Sequence, residues 1–447
     1  MKLAKTLSAG FILGVLLIIG SAFVTSRHHW ADVHVYHSAA HSLFNKGRID
    51  LYSADFADDA IMDYRYTPFF LFLVFPFSFL PYEAAEFVWL WLNIIAVVPA
   101  IIAVKRGFEK TATNPRRIYL ILFLSFLVCA KLFFPLIRNL NVHLLILCLI
   151  FGAFYFLLKQ KKLLAASLMA LAITIKIVPV LTLPYFALKK QWLFLSATVV
   201  LVVVFNLLPA FYFGADLNFK LLNDWYNHVL VNNEFHEING PLNLSLKGQL
   251  QRYLVGVDYT KRTFDPDYQN INVISISKNQ ADWIWRISIL AMSAGTLFLI
   301  WFSSKLRNRI RFSNQNTEKL IDSKDNLSAK MPNRFDSFAY HEFGLMICLS
   351  LLIAPRSNGY YFLALFFPLI PFIHAVFRNK SKFNILAFGL ILTVTCLLPL
   401  VPGRSFQRLF LVLGVDFYTA LILWIALAYN LYKDSLSISG KCAEVIK

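Results

Sequence analysis

Long apolar segments, separated by shorter polar ones, recur along almost the whole chain. A helix needs about 20 apolar residues to cross the hydrocarbon core of a bilayer, and somewhat fewer where neighbouring helices shield it. The pattern predicts an all-α polytopic membrane protein with about twelve transmembrane helices, two of them short for a full crossing. The predicted spans are residues 7–24, 83–104, 118–136, 142–158, 163–175, 177–188, 192–213, 281–303, 338–354, 359–377, 383–401 and 409–432.

The basic residues of the connections indicate the orientation of these helices, because cytoplasmic loops collect Lys and Arg. Basic stretches fall on alternate connections, and the longest is the linker 304–336, with eight basic and four acidic residues. The two longest polar segments, 26–65 and 214–280, are not basic in balance, and they belong to the predicted outer loops 26–82 and 214–280. The sequence therefore predicts cytoplasmic termini, a flexible cytoplasmic linker at 304–336, a cytoplasmic tail at 433–447 and two long outer loops.

The apolar segment 66–80 is interpreted differently from the spans. It is only fifteen residues long and stops at Pro81. Counting it as a crossing would place the basic stretch 105–117 outside, against the charge rule. We therefore expect a re-entrant or interfacial helix on the outer face that leads directly into span 83–104. The whole chain, 1–447, is then one integral-membrane domain whose outer loops carry interfacial helices.

The composition excludes other classes of protein. Hydrophobic residues make up 58% of the chain and charged residues 15%, and the mean hydropathy is +0.59. These values exclude a soluble globular protein, a secreted disulfide scaffold and a disordered chain. Four of the five cysteines lie inside apolar segments, so no disulfide is predicted. The net charge of +18 reports topology, and the lipid bilayer rather than a nucleic acid is the expected partner.

The first outer loop begins with an amphipathic pattern that contains a candidate functional carboxylate. Tyr36, Ala39, Ala40, Leu43 and Phe44 recur at helical spacing and predict a helix on the membrane surface. Asp32 lies at its start on the apolar side, against the bundle at the depth of the lipid headgroups. Asp32 could simply cap the helix, or it could carry chemistry.

Three histidines of this helix also share a face. His34, His37 and His41 have the i, i+3, i+7 spacing that could bind a transition metal. A polar helix face turned to water explains them more simply, and no rigid supporting residues are evident nearby. We expect no metal site and no cofactor.

Cations at the outward ends of predicted spans are the second candidate feature. They are Arg138, Lys176, Arg356, Arg404 and Arg408. Lys176 is the clearest, because apolar residues flank it on both sides. Such cations can snorkel to lipid headgroups, or a cluster of them can hold a phosphate through charge-assisted hydrogen bonds. Their desolvation cost makes a function the default suspicion.

The second outer loop contains turn residues at 239–245 that lead into a short polar helix. The loop could be a solvated connection, or its aromatic residues near Trp225 could stack on sugar rings or anchor the loop at the interface. The chain lacks a Gly-rich nucleotide loop and a nucleophile elbow. If the substrate is a sugar donor, a lipid-linked one is the natural choice for an outward-facing membrane site.

Several segments, taken in order, resemble glycosyltransferase family 87, whose members have the GT-C membrane architecture and use polyprenol-phosphate mannose. The resemblance covers about residues 11–401. It rests on residues 32–36, 64–70, Pro76, 80–81, 138–141, 175–179, 243–245 and 354–355. The chain departs from the family pattern at Arg138–Asn139–Leu140, where relatives carry Gly-Gln before the Asn, and at 356–361, where many carry Ser-Trp and a His pair.

The resemblance implies an inverting transfer of mannose or another hexose from a polyprenyl-phosphate-linked donor to a lipid or cell-envelope glycan. Asp32 matches the general base of the first outer loop, and no metal is needed because the polyprenyl phosphate leaves already activated. The residues expected to hold the donor phosphate are Lys176, Arg138, Arg356 and Arg252. The residues expected to bind substrate are Tyr36, Tyr64, Arg65, Tyr66, Asn141, Asn243, Ser245 and Tyr360.

Two other functions fit a polytopic chain. A transporter or flippase of a lipid-linked saccharide would be favoured by broken helices with charges at the midplane; here the charges are predicted near one face. An envelope polymerase or ligase would use a diphosphate-linked glycan instead. The predicted location is a bacterial cytoplasmic membrane with the active side outward.

Overall fold

A computed structural model describes residues 32–53, 64–109, 115–232, 243–256, 270–321 and 334–446. These residues form helices joined by turns, and no strand occurs among them. The α-helices are α1 Asp32–Lys46, α2 Pro68–Val74, α3 Tyr82–Glu109, α4 Pro115–Arg138, α5 His143–Leu158, α6 Lys162–Ile175, α7 Leu183–Leu188, α8 Trp192–Leu207, α9 Ala210–Phe213, α10 Ala215–Trp225, α11 Leu246–Leu254, α12 Lys278–Ile321, α13 Arg334–Ile353, α14 Phe366–Asn379, α15 Lys382–Leu392, α16 Arg404–Leu413 and α17 Val415–Ile446.

Shorter 3₁₀ and π turns extend several of these helices. They are Phe75–Phe79, Val178–Thr182, Tyr226–Asn232, Gly359–Leu365, Thr393–Leu397 and Leu398–Leu400.

Six helical segments of the described chain are long and apolar enough to cross a membrane. They are Tyr82–Arg106, Trp192–Phe213, Lys278–Arg307, Gly359–Asn379, Lys382–Leu400 and Val415–Ser437. Shorter apolar helices include His143–Leu158 and Lys162–Ile175. The protein is therefore an all-α, multi-pass membrane protein over its described residues. The count of twelve stays a prediction, and the first predicted span, 7–24, lies outside the described residues.

The centre of the bundle is a packed aromatic core. Helix α13 packs against α14 and α17, while α5 lies between α3 and α6. The rings of Phe154 and Phe343 stack with their centroids 4.3 Å apart. Helices α8 and α12 instead expose apolar side chains such as Val200 and Leu290, at 59% and 71%. Exposed apolar surface of this extent matches a hydrocarbon environment rather than water.

A buried ion cluster joins three helices at the end of the bundle away from Asp32. The Glu342 carboxylate of α13 is 2.5 Å from Nζ of Lys189, which follows α7, and accepts a short hydrogen bond from Arg307 of α12. Lys189 also donates to Ser304 at 2.7 Å. Because the Glu342 side chain is only 1% exposed, both cations are needed to compensate its burial.

Two helix bounds differ from the predicted ones, and the predicted tail is helical. The linker expected from residue 304 begins as helix, because α12 continues to Ile321 through a sequence without Gly or Pro. The span expected from residue 409 begins at Val415, because Gly414 adopts a left-handed conformation (φ +71°) that ends α16. The tail expected from residue 433 is helical as far as Ile446. Residues 322–333 lie outside the described chain.

The predicted short elements of the two long loops are present as helices. Helix α2 starts at Pro68, whose fixed φ suits a first helical position, and the turn Phe75–Phe79 leads into α3. The short helix predicted in the second loop is α11, and the same loop also contains α10, which the sequence analysis does not predict. Ser245 caps α11 by accepting a hydrogen bond from the backbone N–H of Gly248 at 3.2 Å.

Candidate functional site

Helix α1 lies against the bundle through its apolar face. Val33, Tyr36, Ala39, Ala40 and Leu43 are buried there, and α1 contacts α2, α3 and the turn Phe75–Phe79. The predicted apolar face is therefore the packed one, and it aims the first residue, Asp32, at the junction between α4 and α5. The backbone N–H of Asp32 donates to the carbonyl of Asn139 at 2.8 Å.

The Asp32 carboxylate accepts a short hydrogen bond from the side-chain amide of Asn141. Burial raises the pKa of Asp32 above its ordinary value, whereas the Asn141 hydrogen bond, Lys176 and Arg65 act in the opposite direction. A carboxylate with a raised pKa is a stronger proton acceptor than an exposed one. The contact with Asn141 joins the start of α1 to the turn that follows α4.

A strained turn presents Asn141 to this carboxylate. Leu140, two residues after the end of α4, has a left-handed conformation (φ 51°), which costs a non-glycine residue roughly 1 kcal/mol or more. The Leu140 side chain is buried, and its carbonyl accepts from Trp89 Nε1 at 2.8 Å. These contacts hold the turn, so Asn141 projects back toward α1 rather than continuing the helix.

His143 fixes the orientation of the Asn141 amide. Asn141 Oδ1 accepts from the backbone N–H of His143 at 2.9 Å and from His143 Nδ1 at 2.7 Å. Because this amide oxygen can only accept, the proton of the imidazole lies on Nδ1, and Nδ2 of Asn141 is left to donate to Asp32. The sequence analysis missed His143, whose only signal is its place two residues after Asn141.

Lys176 lies in the turn that follows α6, with an extended backbone (φ −150°). Burial lowers its pKa to about 7, with Arg65 acting in the same direction and Asp32 opposing it. Its Nζ is 4.6 Å from the ring centroid of Tyr361 and 5.4 Å from that of Tyr66. Tyr361 was not predicted as a site residue, and it packs edge-on against His143 at 4.0 Å.

The Tyr64–Arg65–Tyr66 segment is held between α1 and α6. Tyr36 and Tyr66 share a hydroxyl–hydroxyl hydrogen bond of 3.0 Å, and Thr67 Oγ1 donates to the carbonyl of Thr174 at 2.7 Å. Tyr36 and Tyr64 are each only 2% exposed. Tyr36 and Tyr64 therefore support the site through packing. Arg65 is part-exposed and interacts electrostatically with Asp32 and Lys176.

The segment after α13 closes another side of the site. Asn139 donates a short hydrogen bond to the hydroxyl of Tyr360, which also interacts electrostatically with Asp32 and Arg138. Arg138 is exposed at the end of α4. Arg356 is part-buried, with Nε 3.5 Å from Asn358 Oδ1. Tyr360 and Arg138 thus lie at the predicted site.

Asn243, Ser245 and Arg252 form a separate buried cluster. Asn243 and Ser245 each donate to the carbonyl of Pro355 at 3.2 Å. Asn243 Oδ1 accepts from the backbone N–H of Ser357 at 3.1 Å, and Arg252 donates to the Asn243 carbonyl at 2.8 Å. The described contacts of these residues clamp the 355–357 turn that carries Tyr360 and Tyr361. Arg252 is fully buried in this clamp.

The three histidines of α1 are part-buried, whereas the sequence analysis expects them on a helix face turned to water. His37 Nε2 lies 3.0 Å from the carbonyl of Leu80, His41 Nδ1 lies 3.5 Å from that of Ser78, and His34 packs against the ring of Tyr82. The turn before α3 therefore covers this face. Among the residues that the structure describes, no group of three or more His, Cys, Asp or Glu side chains is arranged to hold a metal.

A small, largely apolar cavity of about 40 Å³ adjoins these residues. Lys176, His143 and Tyr361 line its polar end. Ile146, Ile150 and Leu351 are among the residues of its apolar walls. His143 Nε2 is buried with no hydrogen-bond partner among the described residues.

The sequence profile of glycosyltransferase family 87 matches residues 64–314, more than half of the chain. The chain belongs to glycosyltransferase family 87. The match includes Arg65, Asn141 and Lys176, while Asp32 precedes it. No curated protein and no solved structure matched the chain. As a family 87 member with several apolar helices, it is a membrane glycosyltransferase that acts on a sugar donor and an acceptor.

Proposed function

We propose that this family 87 member transfers mannose or another hexose from a polyprenyl-phosphate-linked donor to a lipid or cell-envelope glycan, with inversion at the anomeric carbon. The observation that carries the proposal is the placement of Asp32 and Lys176 at one site: a part-buried carboxylate that can accept a proton and a part-buried amine that can neutralise a phosphate. Family membership supports sugar transfer, and these two groups give it a mechanism.

In the proposed reaction, Asp32 accepts the proton of the acceptor hydroxyl as its oxygen attacks the anomeric carbon. The bond from that carbon to the phosphate oxygen breaks, and its electron pair leaves with the polyprenyl phosphate. Asn141 and His143 hold the carboxylate in place. Because attack and departure occur on opposite faces of the sugar, the configuration inverts. The step balances without a metal or another cofactor.

Lys176 and Arg65 are the proposed partners of the departing phosphate. Both interact electrostatically with Asp32, and cations at a poorly hydrated site stabilise the charge that develops on a leaving group. Arg138 and Arg356, from two further segments of this end of the bundle, would complete the phosphate site. Arg252 is assigned to the clamp of the 355–357 turn, since its side chain exposes no surface to a ligand.

The apolar cavity beside Lys176 is the proposed start of the path for the isoprenoid chain of the donor. Its walls are apolar and its polar end carries Lys176. A lipid phosphate bound by Lys176 would have its chain in this cavity and its sugar toward Asp32. We further propose that this end of the bundle faces outward from a bacterial cytoplasmic membrane, with both termini cytoplasmic, because basic residues collect on the alternate connections.

The test is a transfer assay with purified protein in liposomes that contain synthetic polyprenyl-phosphate mannose or glucose and membrane glycolipid extract. The parent chain should convert the donor, and Asp32→Asn should lose about 100- to 10,000-fold, the usual contribution of a general base. Asp50→Asn is the matched control, since Asp50 lies in the same loop and pairs with Arg48. Near-full activity of Asp32→Asn, with correct insertion, would remove Asp32 from the mechanism.

A further inference from the structure

A second cleft has a volume of about 290 Å³ and shares no lining residue with the Lys176 cavity. Lys131 of α4, Gln407 of α16 and Asp416 of α17 line it together with apolar residues such as Phe410. The Lys131 ammonium and the Asp416 carboxylate are 2.5 Å apart. No feature of the sequence analysis identified any of these residues.

The ion pair is accessible from the cleft. The side chains of Lys131 and Asp416 are 26% and 16% exposed, so a ligand could reach both. Lys131 lies within the apolar run of α4. Burying an ionisable residue in such a segment costs free energy, so a function is the default expectation. A paired ammonium and carboxylate present donors and an acceptor side by side, which is the arrangement that hydroxyl groups of a sugar can use.

The rim of the cleft is apolar and exposed. Pro399 lines it, and its neighbours Leu397 and Leu400 are 58% and 76% exposed. Gln407 is an exposed residue of the amphipathic helix α16 and also lines the cleft. The cleft therefore combines polar and apolar lining residues beside an exposed apolar surface, which matches a molecule that has a hydroxylated headgroup and a hydrocarbon chain.

A chain of hydrogen bonds connects the cleft to the Asp32 site. Leu244 lines the cleft, and its backbone N–H donates to the carbonyl of Ser357 at 2.7 Å. That turn leads to Tyr360, which is bonded to Asn139, whose carbonyl holds the backbone of Asp32. Along α4, Lys131 and Asn139 are eight residues apart, about 12 Å at the helical rise. A saccharide of a few units spans that distance.

We propose that this cleft binds the acceptor, a glycolipid whose saccharide headgroup contacts Lys131, Asp416 and Gln407 while its free end reaches Asp32. This proposal rests on the proposed function and names the substrate class for its acceptor side. In the proposed function the donor occupies the cavity of Lys176, which shares no lining residue with this cleft, so the two lipids bind at separate places.

The test measures binding without any transfer. Purified protein in an amine oxide detergent is titrated with dodecyl maltoside below its micelle concentration and examined by native mass spectrometry, with dodecylphosphocholine as the probe that lacks a sugar. Lys131→Met/Asp416→Leu should weaken dodecyl maltoside binding at least about tenfold, the loss expected for a charge-assisted hydrogen bond. Gln407→Leu, an exposed position that spares the pair, should weaken it several-fold. Neither variant should change the binding of dodecylphosphocholine.

The control variant is Arg378→Met/Asp434→Leu, which removes another 2.5 Å ion pair made by α17 and should leave binding unchanged. Any of three results would overturn the proposal. The two double variants could lose dodecyl maltoside binding equally, a cleft variant could lose binding of both detergents equally, or both cleft variants could bind dodecyl maltoside as the parent does. Intact sugar binding by a parent chain that transfers nothing would count against the proposed function alone, because no donor is present in this measurement.

Discussion

The side-chain amide of Asn141 donates a hydrogen bond to the carboxylate of Asp32, 109 residues earlier in the chain. The other end of the same amide accepts two hydrogen bonds from His143. This chain of contacts couples the start of α1 to the start of α5. It favours the charged form of a carboxylate whose burial favours the neutral form.

Asn141→Ala should therefore reduce kcat/KM more at low pH than at high pH. Without its hydrogen bond, the pKa of Asp32 rises further, so the acid limb of the pH–rate profile moves to higher pH. At a fixed neutral pH we expect about a 10- to 100-fold loss, from the free energy of a hydrogen bond to a charged group. A uniform loss at all pH values would show that Asn141 acts only by packing.

The alkaline limb of the pH–rate profile should report the deprotonation of Lys176. Burial lowers the pKa of Lys176 to about 7, so the free enzyme loses this positive charge as pH rises through neutrality. The kcat/KM for the lipid-phosphate donor should then fall about tenfold for each pH unit above that value. Lys176→Arg, which stays charged, should remove the alkaline limb. Lys161→Arg, in a distant turn, should leave the profile unchanged, and an unaltered limb in Lys176→Arg would contradict the assignment.

Gly248→Ala should destabilise the protein and weaken activity together. An added Cβ would lie 2.9 Å from Cγ and 3.1 Å from the carbonyl carbon of Asn243, which clamps the 355–357 turn. Overpacking of this kind costs about 1 to 3 kcal/mol. Gly295→Ala is the control, since nothing lies within 4 Å of its Cβ position in α12. Thermal aggregation in detergent is the measurement, and equal melting of both variants would argue against the clamp.

Glu342→Gln should be strongly destabilising. The change leaves Lys189 and Arg307 without their buried carboxylate, and removing one partner of a buried cluster costs about 3 to 5 kcal/mol. Asp434→Asn, which breaks the half-exposed pair with Arg378, should cost about 0 to 1 kcal/mol. Detergent melting curves of the two variants would test this difference, and a comparable shift in both would refute it.

Transfer should survive exhaustive chelation, because Lys and Arg neutralise the donor phosphate in the proposed mechanism. Replacing His34, His37 and His41 together with Gln should cost little, since an amide can still donate to the carbonyls of Ser78 and Leu80. The assay compares chelated and untreated samples. Loss of activity that manganese or magnesium restores would establish a metal requirement instead.

The sequence by itself determined the helical class, the family and the approximate place of most helices. Each apolar segment must satisfy its own backbone hydrogen bonds in lipid, so its length and composition identify it without knowledge of its neighbours. The same local logic located α1 and singled out Asp32 on its apolar side. It failed at residue 414, because a left-handed glycine inside an apolar run breaks a helix without changing its hydropathy.

Only the tertiary structure decided which residues meet. Asn243, Ser245 and Arg252 looked like ligands in the sequence, yet their contacts hold a turn. His143 and Tyr361 carried little signal, yet they line the cavity of Lys176. Membrane helices associate through close packing and interhelical hydrogen bonds between distant segments, and burial at those contacts shifts the pKa values. Neither effect is encoded in the spacing of residues along one helix.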